Sequence, residues 1–191
     1  MAGAADKDKP RFDPGPASSY PNRQTGENKV MIAARPYVTD EEARAPFGKL
    51  NPNKHGVLPV LVVIQNGSER PLKLESLRVE YVGPDRSRTE ATPAEELAYL
   101  SGPRQPKVIS GPFPGRAPRI SRKKSPLSAW EIGGRAFSAK MLPAGETASG
   151  FFYFQTGHRR GSQIYITGIR EAGTEKELFY FEIPLSGDGT P

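Results

Sequence analysis

The sequence predicts a mainly β domain, an antiparallel β-sandwich of seven to eight short strands with one or two short helices. Short apolar runs recur, either alternating with period two or apolar on both faces, and turn residues separate them at all-β spacing. Gly and Pro together make up about a fifth of the 191 residues, against roughly 12% in average usage, which argues against long helices. The length favours one domain and is enough to bury a proper core.

The elements follow in order. Residues 1–28 carry Pro10, Pro14, Pro16 and Pro21, with Phe12 and Tyr20 as the large apolar groups, and read as an extended or disordered N-terminal arm. The single sandwich domain then spans 29–186, followed by a tail at 187–191. Val30, Ile32 and Ala34 alternate with Met31, Ala33 and Arg35 in a strand stopped by Pro36. Thr39-Asp40-Glu41-Glu42 is a capping box, in which the Thr39 hydroxyl and the Glu42 carboxylate each serve the other's backbone amide. The segment 57–65 is β-branched and apolar on both faces, as in a strand covered on both sides, with Pro59 expected at an edge or bulge. Asn66-Gly67 reads as a tight turn with positive φ, after which the chain returns over 72–82. A parity change between Glu75 and Leu77 predicts a bulge.

A short strand at 88–91 precedes Thr92-Pro93-Ala94-Glu95, a second capping box that predicts a helix over 93–100. Further strands are expected at 137–142, 150–155, 162–169 and 178–185, the last three as a meander. In the final strand Phe179, Phe181 and Ile183 share one face, and Tyr180 and Glu182 the other.

Between these elements lies an insertion at 101–128 with six prolines, three glycines and seven basic residues: Arg104, Lys107, Arg116, Arg119, Arg122, Lys123 and Lys124. It contains no acidic residue. Its seven cations exceed the whole chain's net +6, which leaves the other 163 residues at a net charge of −1. Concentrated positive charge attracts polyanions, so the insertion is the leading candidate contact surface. Arg159 and Arg160, after the aromatic run Phe151, Phe152, Tyr153 and Phe154, are placed in the same anion-binding set.

Other chemistry finds little support. The chain has no cysteine, which excludes disulfides, thiolate catalysis and cysteine-based metal sites within it. His55 and His158 are far apart in sequence and have no ligand-spaced partners. Glu41-Glu42 and Glu95-Glu96 stand in first helical turns, where capping accounts for them. Segment 51–56 lacks the carboxylates of a calcium loop and reads as a turn. Gly133-Gly134 belongs to no phosphate-binding pattern. No catalytic residue, metal or cofactor is expected, and no stretch is long and apolar enough to span a bilayer.

Two stretches carry a resemblance: Phe47-Gly48-Lys49 with the run from Gly56 to Asn66, and the run from Leu142 to Phe154. They resemble uncharacterised bacterial envelope proteins, often lipoproteins, with an immunoglobulin-like β-sandwich. The resemblance implies a non-enzymatic binding or assembly module that is periplasmic or extracellular, membrane-anchored in its precursor, with Met1-Ala2-Gly3-Ala4 opening a mature form. Its partner would be another protein or an anionic envelope polymer. The residues also admit a nucleic-acid-binding protein that uses the basic insertion with Phe152 or Tyr153 as stacking groups. A third reading is a hydrolase or carbohydrate-active enzyme whose site is assembled from loops.

Overall fold

The structure is a computed structural model describing residues 12–26, 28–100 and 125–185, together with the backbone of 107–108 and 120–121. Its strands are β1 (Arg23–Thr25), β2 (Val30–Pro36), β3 (Leu58–Asn66), β4 (Leu72–Lys73), β5 (Arg78–Val82), β6 (Arg88–Glu90), β7 (Lys107–Val108), β8 (Ile120–Ser121), β9 (Met141–Leu142), β10 (Thr147–Phe154), β11 (Gln163–Thr167), β12 (Arg170–Glu171) and β13 (Phe181–Pro184). The helices are α1 (Asp40–Phe47), α2 (Ala94–Leu97) and α3 (Trp130–Arg135). Among the described residues eleven strands form three antiparallel sheets, ordered β1-β2-β3-β10, β13-β11-β5-β6 and β12-β4-β9, while β7 and β8 pair separately. The count exceeds seven to eight because strands of two or three residues are too short to show an alternation in sequence.

The β-branched run at β3 forms the axis of the fold, and both of its faces are buried. On one side Ile32, Val60, Val62 and Ile64 meet Val79, Tyr81, Ile164, Ile166 and Ile183 of the second sheet, with Leu72, Leu74 and Leu142 closing the margin. On the other, Ala33, Leu61, Val63, Phe151 and Tyr153 lie beneath Phe47 of α1, Leu97 of α2, Ile132 of α3 and Leu127 of the single turn before it. The architecture is thus three layers: sheet, sheet and a thin helical cover. Burying each such side chain stabilises the fold by roughly 1.5–3 kcal/mol, so two apolar faces on β3 require two covering layers.

Described residues of the N-terminal arm lie against this body. Phe12 packs beside Tyr37 and Phe151, Ala17 and Tyr20 are buried, and β1 pairs with β2 from Arg23↔Ala33 to Thr25↔Met31.

Local chemistry follows the sequence at α1. Glu42 N–H donates to Thr39 Oγ1 at 3.2 Å, and Glu42 Oε2 accepts from Thr39 N–H at 3.0 Å. Elsewhere the structure corrects the sequence reading. Pro59 sits in a central strand, opposite Tyr153. Its carbonyl accepts from Tyr37 N–H, and Asn53 Nδ2 donates at 2.8 Å to the Tyr37 carbonyl that a Pro59 amide would have served. Asn66-Gly67 is not a hairpin turn, because β3 and β4 belong to different sheets. Gly67 does not have positive φ; a Cβ there would lie 2.5 Å from Lys29 O, which accepts the Gly67 amide.

The parity change at 75–77 is a turn at which the chain crosses from the small sheet to the second sheet, closed by Leu77 N–H to Leu74 O at 3.1 Å. A bulge and a change of sheet both reverse parity, so the sequence pattern does not separate them. The second capping box does not form: α2 starts after Pro93 without a side-chain cap, and Thr92 Oγ1 accepts instead from Gln155 Nε2. The strand expected at 137–142 shrinks to β9, and Phe137 instead donates its amide to Phe151 O at 3.0 Å. That approach needs Gly150, where a Cβ would lie 2.4 Å from Phe137 Cα. The last strands are not a meander, since β10 joins the first sheet and β11 lies between β5 and β13.

Candidate binding surfaces

The basic insertion leaves and rejoins the helical layer. Leu97 of α2 and Leu127, in the single turn Pro126–Ser128, are both buried there, and Ser125 Oγ caps that turn by accepting from Leu127 N–H. Tyr99 and Trp130, at its two ends, are 80% and 54% exposed. Lys107 belongs to β7, which pairs with β8 as Lys107↔Ser121 and Val108↔Ile120. Arg104, Arg116, Arg119, Arg122, Lys123 and Lys124 lie outside the described residues.

Arg159 and Arg160 occupy the connection between β10 and β11, and their roles differ. Arg159 grips Asp85 with two bonds, Nη1 to Oδ2 at 2.9 Å and Nη2 to Oδ1 at 3.1 Å, and also donates to Ser87 Oγ at 2.7 Å. Its amide donates to Tyr81 Oη at 2.8 Å. This fork fastens the connection to the β5–β6 turn, so the Arg159 charge is matched by a carboxylate. Arg160 is exposed. The tip therefore belongs to the end of the second sheet, whereas the insertion is anchored on the far face of the first.

Bonds from Arg159 and then Ser87 hold the Asp85 carboxyl below its ordinary range; a bond from Lys54 does the same for Asp40, and one from Lys73 for Glu175. Groups whose folded pKa is depressed contribute stability above their unfolded pKa, about 3.9 for Asp and 4.3 for Glu, and lose it as pH falls through the folded value. Melting temperature is therefore expected to hold from neutrality to about pH 5 and to fall progressively below about pH 4. The Asp85→Asn variant should show a shallower decline in that window. An identical acid profile for the variant and the parent would remove Asp85 from the account.

The aromatic run fills the interior. Phe151, Tyr153 and Phe154 are buried, and burial pushes the Tyr153 phenol up while its hydroxyl donates to Ile132 O at 2.7 Å. Of the two rings considered for stacking, Tyr153 is thus enclosed, and Phe152 is half-buried with its ring stacked on Phe137 at 5.2 Å.

Among the described residues, Ser162 lies beside His158 as a nucleophile and base would. Ser162 Oγ lies 3.5 Å from His158 Nδ1 but donates at 2.6 Å to Arg159 O, and Ser162 is buried. Burial pushes the His158 imidazole down, against the opposing pull of Glu42. The Glu42 carboxylate is itself engaged by Val38 N–H, Thr39 and Arg35. These bonds direct Ser162 to a backbone carbonyl and Glu42 to its helix cap and Arg35, a structural use of both. His55 is exposed at the end of the turn Pro52–His55, where Asn51 Oδ1 accepts from Asn53 N–H. Among the described residues no group of three or more His, Asp or Glu side chains gathers as a metal site.

One surface was not visible in the sequence. The alternation puts Phe179 on one face with Phe181 and Ile183, but β13 begins only at Phe181, and Phe179 is 79% exposed while Phe181 and Ile183 are buried. With Tyr180, 53% exposed, it borders a groove of about 530 Å³ between β1 and the segment before β13. Gln24, Thr25, Asn28, Lys176 and Glu177 also line it. The two sheets meet here edge to edge, where Glu182 N–H donates to Gln24 Oε1 at 2.7 Å. The alternation over 178–185 concealed this surface, because it does not reveal where pairing to β11 starts.

No family model matches the sequence, and no curated protein matches it. Three solved structures align with most of the chain. A "putative lipoprotein" from Bacillus subtilis aligns with a TM-score of 0.40 and 10% identity over 87% of this chain, which spans 39% of that protein. The Northeast Structural Genomics Consortium target SoR45 aligns with a TM-score of 0.38 and 12% identity, over 86% of this chain and 92% of its own. A functionally unknown protein from Listeria monocytogenes aligns with a TM-score of 0.38 and 11% identity, over 85% of this chain and 80% of its own.

Proposed function

We propose that the chain is a non-enzymatic binding or assembly module of the bacterial cell envelope, periplasmic or extracellular, with the basic insertion as its contact surface. The observation that carries this reading is a segment whose seven cations, with no anion among them, lie in sequence between two buried anchors, Leu97 and Leu127, in one helical layer. Both anchors belong to the same layer, and an unopposed positive charge selects polyanionic partners. The envelope setting draws on the two stretches that resemble envelope proteins. Two antiparallel sheets sharing one core support an immunoglobulin-like reading of the sandwich, with the helical layer as an addition to it.

Retention on immobilised heparin tests the site. The chain is expected to bind at low salt and elute as salt rises, since contacts to a polyanion release counterions. A variant in which a short Gly-Ser bridge replaces 102–124 should flow through. Undiminished retention of that variant would overturn the assignment of the insertion. Parallel measurements with anionic phospholipid vesicles and single-stranded DNA separate the two partner classes. Binding to DNA with none to vesicles would favour the nucleic-acid reading.

A further inference from the structure

We propose that the groove between β1 and the segment preceding β13 binds a neutral oligosaccharide. It is separate from the basic insertion and uses different chemistry. Its volume of about 530 Å³ falls in the range of small-molecule sites, roughly 300–1,000 Å³.

Three features of the wall select the ligand. The first is the pair of exposed rings. An open aromatic face offers a packing surface to the C–H face of a pyranose, and covering it removes apolar area from water. Tyr180 is held in place from behind: its ring stacks on Tyr165 at 5.3 Å, and the Arg88 guanidinium lies over Tyr165 at 4.7 Å. A braced ring loses little freedom on binding.

The second feature is the polar wall. Gln24 commits its Oε1 to Glu182 N–H, and Asn28 commits its Nδ2 to Glu171 Oε1 at 3.1 Å. Each bond fixes a planar amide, whose other end, Gln24 Nε2 as a donor and Asn28 Oδ1 as an acceptor, has the chemistry to pair with a hydroxyl. The third is charge. Among the described residues of the lining, one cation, Lys176, and one anion, Glu177, offset each other, so this pair gives no preference for a phosphate or an ammonium group.

An extended peptide fits less well. In the β11–β13 ladder, continued by Leu185 N–H to Ser162 O, the amide of Glu182 turns outward, where Gln24 already occupies it. Pro184 has no amide to offer. Strand addition at β13 would therefore lack its donors.

The test is a titration of the full ¹⁵N-labelled chain with maltohexaose, cellohexaose and the hexamer of N-acetylglucosamine, each to about 10 mM, where millimolar sites still fill. Amide shifts at 24–28 and 176–181 with one of them are expected. Phe179→Ala, at an exposed position, should weaken that binding about two- to tenfold, the scale of one lost ring contact. The variant lacking 102–124 should bind the sugar unchanged, which keeps this result distinguishable from failure of the polyanion site. Absence of shifts at these amides with all three sugars would overturn the proposal, as would full affinity in Phe179→Ala.

Discussion

Asn66→Asp is expected to destabilise the domain by about 3–5 kcal/mol at neutral pH, the range for burying an uncompensated charge in a broken polar network. Asn66 is fully buried at the end of β3. Its Nδ2 donates to three carbonyls, Arg70 at 2.8 Å, Pro143 at 3.0 Å and Leu142 at 3.1 Å, and its Oδ1 accepts from Ser68 N–H and Oγ. One side chain thus joins the ends of β3 and β9 and the approach to β4. A carboxylate has the same shape but no donor, and it would face three oxygens. Protonation restores one donor, so the introduced carboxyl should titrate above its ordinary value in the folded state. The deficit should therefore narrow as pH falls and widen as it rises. Urea unfolding followed by circular dichroism measures both trends; a loss below about 1 kcal/mol would show that the three carbonyls find other donors.

Phe151→Ala should cost a similar amount, about 3–5 kcal/mol, by emptying the centre of the layer between the first sheet and the helices. Its ring lies 4.8 Å from Phe47, 5.1 Å from Tyr37, 5.7 Å from Phe12 and 6.5 Å from Tyr153. The neighbouring Phe152→Ala removes a half-buried ring and should cost clearly less. Comparable losses at both positions in chemical denaturation would contradict the difference in burial between Phe151 and Phe152.

The parts that could be read in advance are those where neighbouring residues carry the cause. The run at β3 states its burial on both faces, and Thr39 with Glu42 completes its own hydrogen bonds within four residues. The Asn66 network was hidden because its acceptors at Leu142 and Pro143 are remote in sequence, and an Asn-Gly pair equally suits a plain turn. The helical layer was hidden for a related reason. Phe47, Leu97, Leu127 and Ile132 come singly from short elements, so no periodicity announces a common face. For the candidate sites, composition exposed the basic insertion, since charge excess needs no neighbours to be seen. The groove depends on where pairing to β11 stops, which only the register decides.

The β3–β10 ladder, from Leu58↔Phe154 to Gln65↔Thr147, carries a kinetic consequence. To form it, the chain must close a loop of about 80 residues, and the basic insertion lies wholly within that loop. Closure entropy grows only with the logarithm of length, so removing some twenty residues changes it by about 0.2–0.3 kcal/mol. Shortening the insertion should therefore leave equilibrium stability almost untouched while it modestly speeds formation of the central sheet, a step dominated by distant contacts. The segment can vary in length and charge at little thermodynamic cost to the body that holds it.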